Sequence, residues 1–238
     1  MTSRKSTPGF FVTGTDTEVG KTLVSGALLL KLQKTYSQVA AFKPVVAGVS
    51  MIDGKDQNED LVTLSQAANH PASKDAKNIC PYILATAAAP HLVAQHENME
   101  LDDQLMVNSY LALAEQADAM VVEGVGGFMV PFNKKKNSAD FAKDIGLPVI
   151  LVVGMRLGCI NHALLTVEAI QATGLRIAGW VANTVSSMQL LEDNIQSLKD
   201  LIPAPLLGVI PKLNTEEITT PYSINTLEKV ANYLQLPK

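Results

Sequence analysis

The sequence predicts an α/β protein with a mostly parallel central sheet and helices on both of its faces. Two observations carry that reading. Short apolar runs without polar alternation recur along the chain, as in strands buried on both faces. Helix-like stretches lie between them, so the order is β-α-β-α, which is that of a doubly wound sheet. A third observation places a site in this frame: the first strand and first helix are joined by a loop that ends in Gly-Lys-Thr.

The elements follow in order. Phe10–Val12 is the first apolar run. The stretch 21–33 reads as a helix, with Leu23, Ala27, Leu30 and Lys34 at the three-to-four spacing of one face. Residues 39–46 read as a second strand, and 102–116 as a helix. Met120–Val122 and Val149–Val153 are strand-length and apolar, and 161–172 reads as the helix after them. Ile177–Val181, a helix over 190–201 and Leu206–Ile210 complete the alternation. Pro203 and Pro205 mark a helix end before a strand, not a domain boundary. With no internal repeat and no low-complexity linker, residues 1–238 read as one domain.

Composition narrows the function. Of 238 residues, 47% are hydrophobic and 18% charged, enough apolar content for a substantial core. The net charge of -4 argues against nucleic acid as the main partner, because phosphate contacts need a basic surface. Cys80 and Cys159 are too few for a zinc site or a disulfide scaffold and suit a reducing cytoplasm. The N-terminal stretch lacks the apolar core of a secretory signal, which runs to roughly 7–15 residues. The most apolar region, 148–165, is broken by Arg156, Asn161 and glycines, so no membrane span is expected.

The loop "VTGTDTEVGKT" has the chemistry of a phosphate cradle. Backbone N–H groups at a helix start face the anion, Lys21 reaches the terminal phosphates and the Thr22 hydroxyl suits Mg²⁺. Its first glycine is Gly14, one residue earlier than G-x-x-x-x-G-K-[ST] asks, which weakens the pattern but not this physics. A P-loop also wants an acidic partner for its metal. Glu123, last residue of the strand in "DAMVVEGVGGF", emerges where open α/β sheets bind ligands, and Gly124, Gly126 and Gly127 keep the backbone there approachable. Lys43, in "AFKPVVAG", either snorkels from a strand end or meets an anion. The acidic run "DGKDQNED" reads mostly as a wet loop, with Asp60 among its acids. Asn183, at a strand's carboxyl end, reads as a turn residue or as a donor and acceptor for a base edge. Lys134–Lys136 reads as exposed loop, and Lys136 stands where a guanine-reading N-K-x-D would need Asp, which disfavours a GTPase.

Taken together, "FFVTGTDTEVGKT", "KPVVAG", "VVEGVGG", "LPVILVVGMRLGCINHALLT", "LRIAGWVAN" and "PAPLLGVIPKL" resemble the dethiobiotin synthetase family nearly end to end. The early glycine is that family's own variant of the loop. The resemblance implies a P-loop NTPase-like fold and a ligase that uses ATP and Mg²⁺ to carboxylate 7,8-diaminononanoate with CO₂ and close the ureido ring. It implies Lys21 and Lys43 as catalytic cations and Thr22, Asp60 and Glu123 as metal ligands. Glu18, Val19, Gly20, Lys21, Thr22 and Leu23 would cover the phosphates, with Gly124, Val125 and Gly126 beside them. Asn183, Thr184, Pro211, Lys212, Leu213 and Glu217 would hold the rest of the nucleotide. Thr17, Lys43 and Ala47 would face the diamine. Its carboxylate would rest on the helix start at Gly158, Cys159, Ile160 and Asn161 across a homodimer interface, so that the active site is shared. Two positions depart from the family's pattern. Ala47 stands where Ser is frequent, removing a hydroxyl that contacts the diamine, and Val125 replaces a usual alanine. A nucleotide-binding paralogue that acts on another amine is an alternative, and two other classes fit less well. ATP-driven partitioning proteins carry a lysine early in the loop, where this chain has Asp16, and amidating relatives need a glutaminase domain for which there is no room.

Overall fold

A computed structural model describes residues 7–237; the basic residues near the N-terminus of the secretory-signal reading therefore lie outside the described residues. In chain order the elements are β1 (Gly9–Gly14), α1 (Lys21–Leu32), β2 (Val39–Phe42), β3 (Val45–Ala47), β4 (Ser50–Ile52), β5 (Lys55–Gln57), α2 (Glu59–Ala67), α3 (Ala76–Ile79), β6 (Tyr82–Leu84), α4 (Pro90–His96), α5 (Asp103–Ala114), β7 (Ala119–Glu123), α6 (Ser138–Ile145), β8 (Val149–Gly154), α7 (Cys159–Ala172), β9 (Ile177–Asn183), α8 (Leu191–Leu201), β10 (Leu206–Ile210) and α9 (Ile224–Tyr233). Six strands form the central sheet in the order β10-β9-β8-β1-β7-β2, and every pairing within it is parallel. The strand reading of the apolar runs is thus correct.

The sheet explains why those runs do not alternate. In β8, Val149, Ile150 and Val152 join one hydrophobic cluster, while Leu151 and Val153 join the other with Trp180, Ala163 and Leu198. From Ile150 on, past an irregularity in the pairing with β9 at Val149, successive side chains point to opposite faces, and helices cover both, so every position is apolar. β1 lies between β7 and β8, and its chain continues outward to β2 on the far side of β7. This is a switch point in strand order, and ligands bind there beyond the carboxyl ends of the strands.

Four expectations need correction. Residues 39–46 are not one strand. The run breaks at Lys43-Pro44, and its second half leaves the central sheet to pair with β6. Pro44 has no N–H to continue a ladder, and the Lys43 N–H donates instead to the Ile79 carbonyl. The acidic run is not simply loop: β4 and β5 form an antiparallel hairpin, and Asn58 caps α2 by accepting from the N–H groups of Asp60 and Leu61. Nor is α1 amphipathic. Lys21–Leu29 are all buried, because the helix is enclosed by the sheet, α2 and α9. Lys136 also differs from a free loop lysine, lying 3.7 Å from Asp103 and 3.9 Å from Asp144.

The return of α9 over β10 depends on a glycine. A Cβ at Gly208 would stand 2.1 Å from the Tyr233 carbonyl oxygen, and the Gln235 N–H bonds the Leu207 carbonyl beside it. Backbone cannot yield as a side-chain tip can. Gly208→Ala is therefore expected to destabilise the fold by about 2 kcal/mol or more. A urea titration would show this as a lower midpoint at unchanged slope. An unchanged midpoint would mean that α9 docks elsewhere.

Candidate functional site

At the carboxyl ends of β1, β7 and β9 the structure opens a cavity of about 1110 Å³. Its floor is the loop between β1 and α1. Gly20, with φ +90°, turns the chain into the helix, and the Asn183 amide donates to the Val19 carbonyl at 2.9 Å, tying the loop to β9. Lys21 follows at the helix start, its ammonium donating to the Asp16 carbonyl at 2.9 Å.

One wall holds a compact ionic cluster. The Thr22 Oγ1 lies 2.7 Å from Asp60 Oδ1 and 2.8 Å from Glu123 Oε1. The Lys43 ammonium contacts Asp60 Oδ2 at 3.0 Å and bonds Glu123 Oε1. Three elements meet here: α1 brings Thr22, the first turn of α2 brings Asp60, and the end of β7 brings Glu123. Lys43 enters from the break after β2, which the two acids reward with charge-assisted bonds. Burial works against the charge on Lys43, but Asp60 and Glu123 outweigh it and raise its pKa above the ordinary lysine value. Burial likewise opposes the charge on Asp60, and Lys43 overrides it, lowering that pKa. Lys21 goes the other way. Burial first, then the nearby Lys43 charge, push its pKa down to about 8.

The cluster has more acceptor than donor capacity. One hydroxyl proton serves two carboxylates, and Glu123 Oε2, fully buried, has no hydrogen-bond partner among the described residues. Such a set has room for a further cation with hard oxygen ligands.

The remaining expected residues divide by position. Thr17, Glu18, Gly20, Leu23, Ala47, Val125, Gly126, Asn183, Thr184, Lys212 and Leu213 line the same cavity. Val19 is buried beneath the loop, packed toward Gly14 and Gly154, and the Gly124 carbonyl approaches Lys43 at 3.4 Å. Pro211 and Glu217 do not line the cavity; the Glu217 carboxylate accepts from the Asn214 N–H and pairs with Lys229. Gly158, Cys159, Ile160 and Asn161 also lie outside it: Cys159 is buried against the second core cluster, while Gly158 and Asn161 are exposed. Thr220 and Tyr222 line the cavity without having been expected. The Thr220 hydroxyl bonds Glu59 and the Tyr222 N–H donates to Thr63, fastening this stretch to α2. The stretch has no periodicity, so nothing in the sequence pointed to it.

This P-loop chemistry has relatives. The AAA domain family matches residues 8–218. The ATP-dependent dethiobiotin synthetase BioD of Aromatoleum aromaticum is 48% identical over 203 residues, covering 85% of this chain and 89% of that protein. The chain belongs to the dethiobiotin synthetase family. The same family's enzyme from Janthinobacterium sp. is 47% identical over 208 residues, covering 85% of this chain and 87% of its own. Among solved structures, a ParA family ATPase from Chlorobium tepidum has a TM-score of 0.58 at 15% identity, covering 97% of this chain and 94% of that one. The cell division ATPase MinD of Pyrococcus furiosus has a TM-score of 0.53 at 17% identity, covering 95% and 98%. At those identities the likeness is one of fold, and it agrees with the α/β P-loop reading. The family membership of this dethiobiotin synthetase relative rests on the sequence matches.

Proposed function

We propose that this protein is an ATP-dependent dethiobiotin synthetase, a cyclo-ligase of biotin biosynthesis. The observation that carries the reading is the convergence of Lys21, Lys43, Thr22, Asp60 and Glu123 on one cavity, in a chain 48% identical to a BioD enzyme. ATP occupies the P-loop, and 7,8-diaminononanoate lies beside it toward Thr17 and Ala47. An amine of the diamine attacks CO₂, losing a proton and forming a carbamate. A carbamate oxygen then takes the γ-phosphoryl group of ATP, releasing ADP and leaving a carbamic-phosphoric anhydride. The second amine attacks the carbonyl carbon, phosphate departs, and the ureido ring is closed.

The chain's own part is to hold anions together. Carbamate and γ-phosphate repel each other, and Lys21 and Lys43, which line the same cavity, supply positive charge to both. Lys43 keeps its charge because two carboxylates accompany it. Loop residues 18–23, with Gly124–Gly126, present backbone to the phosphates. Asn183, Thr184, Lys212 and Leu213 hold the base end, with Pro211 and Glu217 behind them, the latter as a prop to Asn214. Thr22, Asp60 and Glu123 would hold Mg²⁺, for which the unpartnered Glu123 Oε2 supports a place. Bound there, the ion would neutralise phosphate charge.

The active site is shared between two copies of the chain, with Gly158–Asn161 of each serving the other's substrate carboxylate through free N–H groups at the start of α7. Leu157 beside them is 94% exposed, in keeping with a face that a second copy covers. No helix among the described residues is long and apolar enough to cross a membrane. With both cysteines free and buried, we place the enzyme in the cytoplasm.

The test is ADP release with ATP, Mg²⁺, bicarbonate and diamine, each omitted in turn, with the product identified by mass. Release that needs both diamine and bicarbonate, with a dethiobiotin mass, is expected. Release indifferent to the diamine would overturn the reading. Once activity is established, Ala47→Ser is expected to lower the KM for the diamine by about twofold to tenfold, the value of one neutral hydrogen bond. Steady-state kinetics with the diamine varied at saturating ATP would measure it. An unchanged KM would mean that residue 47 does not face that substrate.

A further inference from the structure

Arg156, in the turn between β8 and α7, pairs with Asp16 in the phosphate loop, although 140 residues separate them. Asp16 is otherwise an unwelcome residue there. It lines the cavity that receives a polyanion, and its carboxylate stands five positions before Lys21. Its three polar functions are all engaged. One carboxylate oxygen accepts from the Thr17 N–H at 2.8 Å, the other takes the Arg156 guanidinium, and the carbonyl accepts the Lys21 ammonium at 2.9 Å. Loop backbone, phosphate-binding lysine and β8–α7 turn thus meet at one residue.

We infer that Arg156 is a charge-compensating positioning residue of the nucleotide site: its guanidinium neutralises Asp16 and holds the carbonyl on which Lys21 rests until phosphate arrives. The inference rests on the reading of this cavity as the ATP site. Removing Arg156 leaves a bare carboxylate facing the phosphates, and like charges a few ångströms apart repel even through partly wet surroundings. Removing Asp16 as well takes away the repulsion. A mere staple between two loops behaves differently, because each single change and the double change would all loosen the same contact. The two side chains are 40% and 46% exposed, so water screens them and the effect is moderate.

Isothermal titration with ATP and Mg²⁺, without diamine, reads binding apart from turnover. Arg156→Gln is expected to weaken ATP binding by about threefold to tenfold. Arg156→Lys should keep most of the affinity, and Asp16→Asn with Arg156→Gln together should restore it to near the parent value. Thermal unfolding of the free variants should match the parent within a few degrees, since the pair is at the surface. In turnover, Arg156→Gln should raise the KM for ATP far more than it lowers kcat. Unchanged affinity in Arg156→Gln, or a double variant no better than that single one, would overturn the inference. Absence of ATP binding by the parent protein would instead overturn the ATP-site reading, so the two failures are distinct.

Discussion

Replacing Lys43 with Gln is expected to cut turnover by orders of magnitude and to destabilise the free protein at the same time. The two effects share one cause. Lys43 is 2% exposed and is the cation between Asp60 and Glu123, of which Glu123 has no exposed surface at all. Glutamine fills similar space but cannot neutralise two carboxylates. Breaking a buried pair by removing one partner typically costs about 3–5 kcal/mol, because the other charge stays buried and alone. In the proposed reaction the same change would withdraw positive charge from the transferring phosphoryl group, an expected loss on the order of a hundredfold to a thousandfold in kcat. Calorimetry of the metal-free variant and steady-state kinetics would measure the pair of effects. Mg²⁺ should raise the melting temperature of Lys43→Gln more than that of the parent, since the freed carboxylates then have an unmet demand for a cation. A variant as stable as the parent would show that the ionic cluster does not form in solution. A variant that turns over normally would remove Lys43 from the catalytic group.

The second large effect is expected at Gly20. A Cβ there would lie 2.2 Å from the Asn183 side-chain nitrogen, and the backbone sits at φ +90°, where an L side chain is strained. Asn183 cannot simply swing away, because it is buried and donates to the Val19 carbonyl. Gly20→Ala must therefore distort the loop, displace Asn183, or both. Backbone strain of this kind costs about 1–3 kcal/mol. At the ATP site proposed above, the displaced amide would disturb phosphate and base ends together, so ATP affinity should fall by more than about tenfold, each 1.4 kcal/mol being a factor of ten. Isothermal titration with ATP and urea unfolding would report the two effects. Normal ATP affinity in Gly20→Ala would show that the loop rearranges on binding and that the tie to Asn183 is not needed.

These sites differ in how far they could be read beforehand. The phosphate loop was legible because its signal is local: an apolar strand, glycines, Lys-Thr and a helix follow within 25 residues. Glu123 was legible for a related reason, since its strand is short and apolar and its end can be seen. Lys43 was recognised as an oddity, but the partner that resolves it was not identifiable, because Asp60 and Glu123 come from elements 17 and 80 residues away. Asp60 lay within an acidic run whose members look alike. The family resemblance singles it out, but its physical distinction is the Asn58 cap, which starts α2 and turns Asp60 into the cluster. The spacing in α1 predicts one buried face, but α2 and α9 pack over the other, and only the tertiary fold brings them there.

The sequence by itself determined the class of fold, the phosphate loop, the strand end that carries Glu123 and the family to which the chain belongs. All of these are written in stretches of a few consecutive residues, where side-chain period and turn chemistry act. Tertiary structure alone decided that the chain leaves the sheet after Phe42, which acids surround Lys43, and that Arg156 meets Asp16. It also brought Thr220 and Tyr222 to the cavity. The physical reason is the range of the forces involved. Propensity and periodicity act between neighbours in sequence, whereas charge pairing and enclosure act between neighbours in space, and here those neighbours lie up to 200 residues apart.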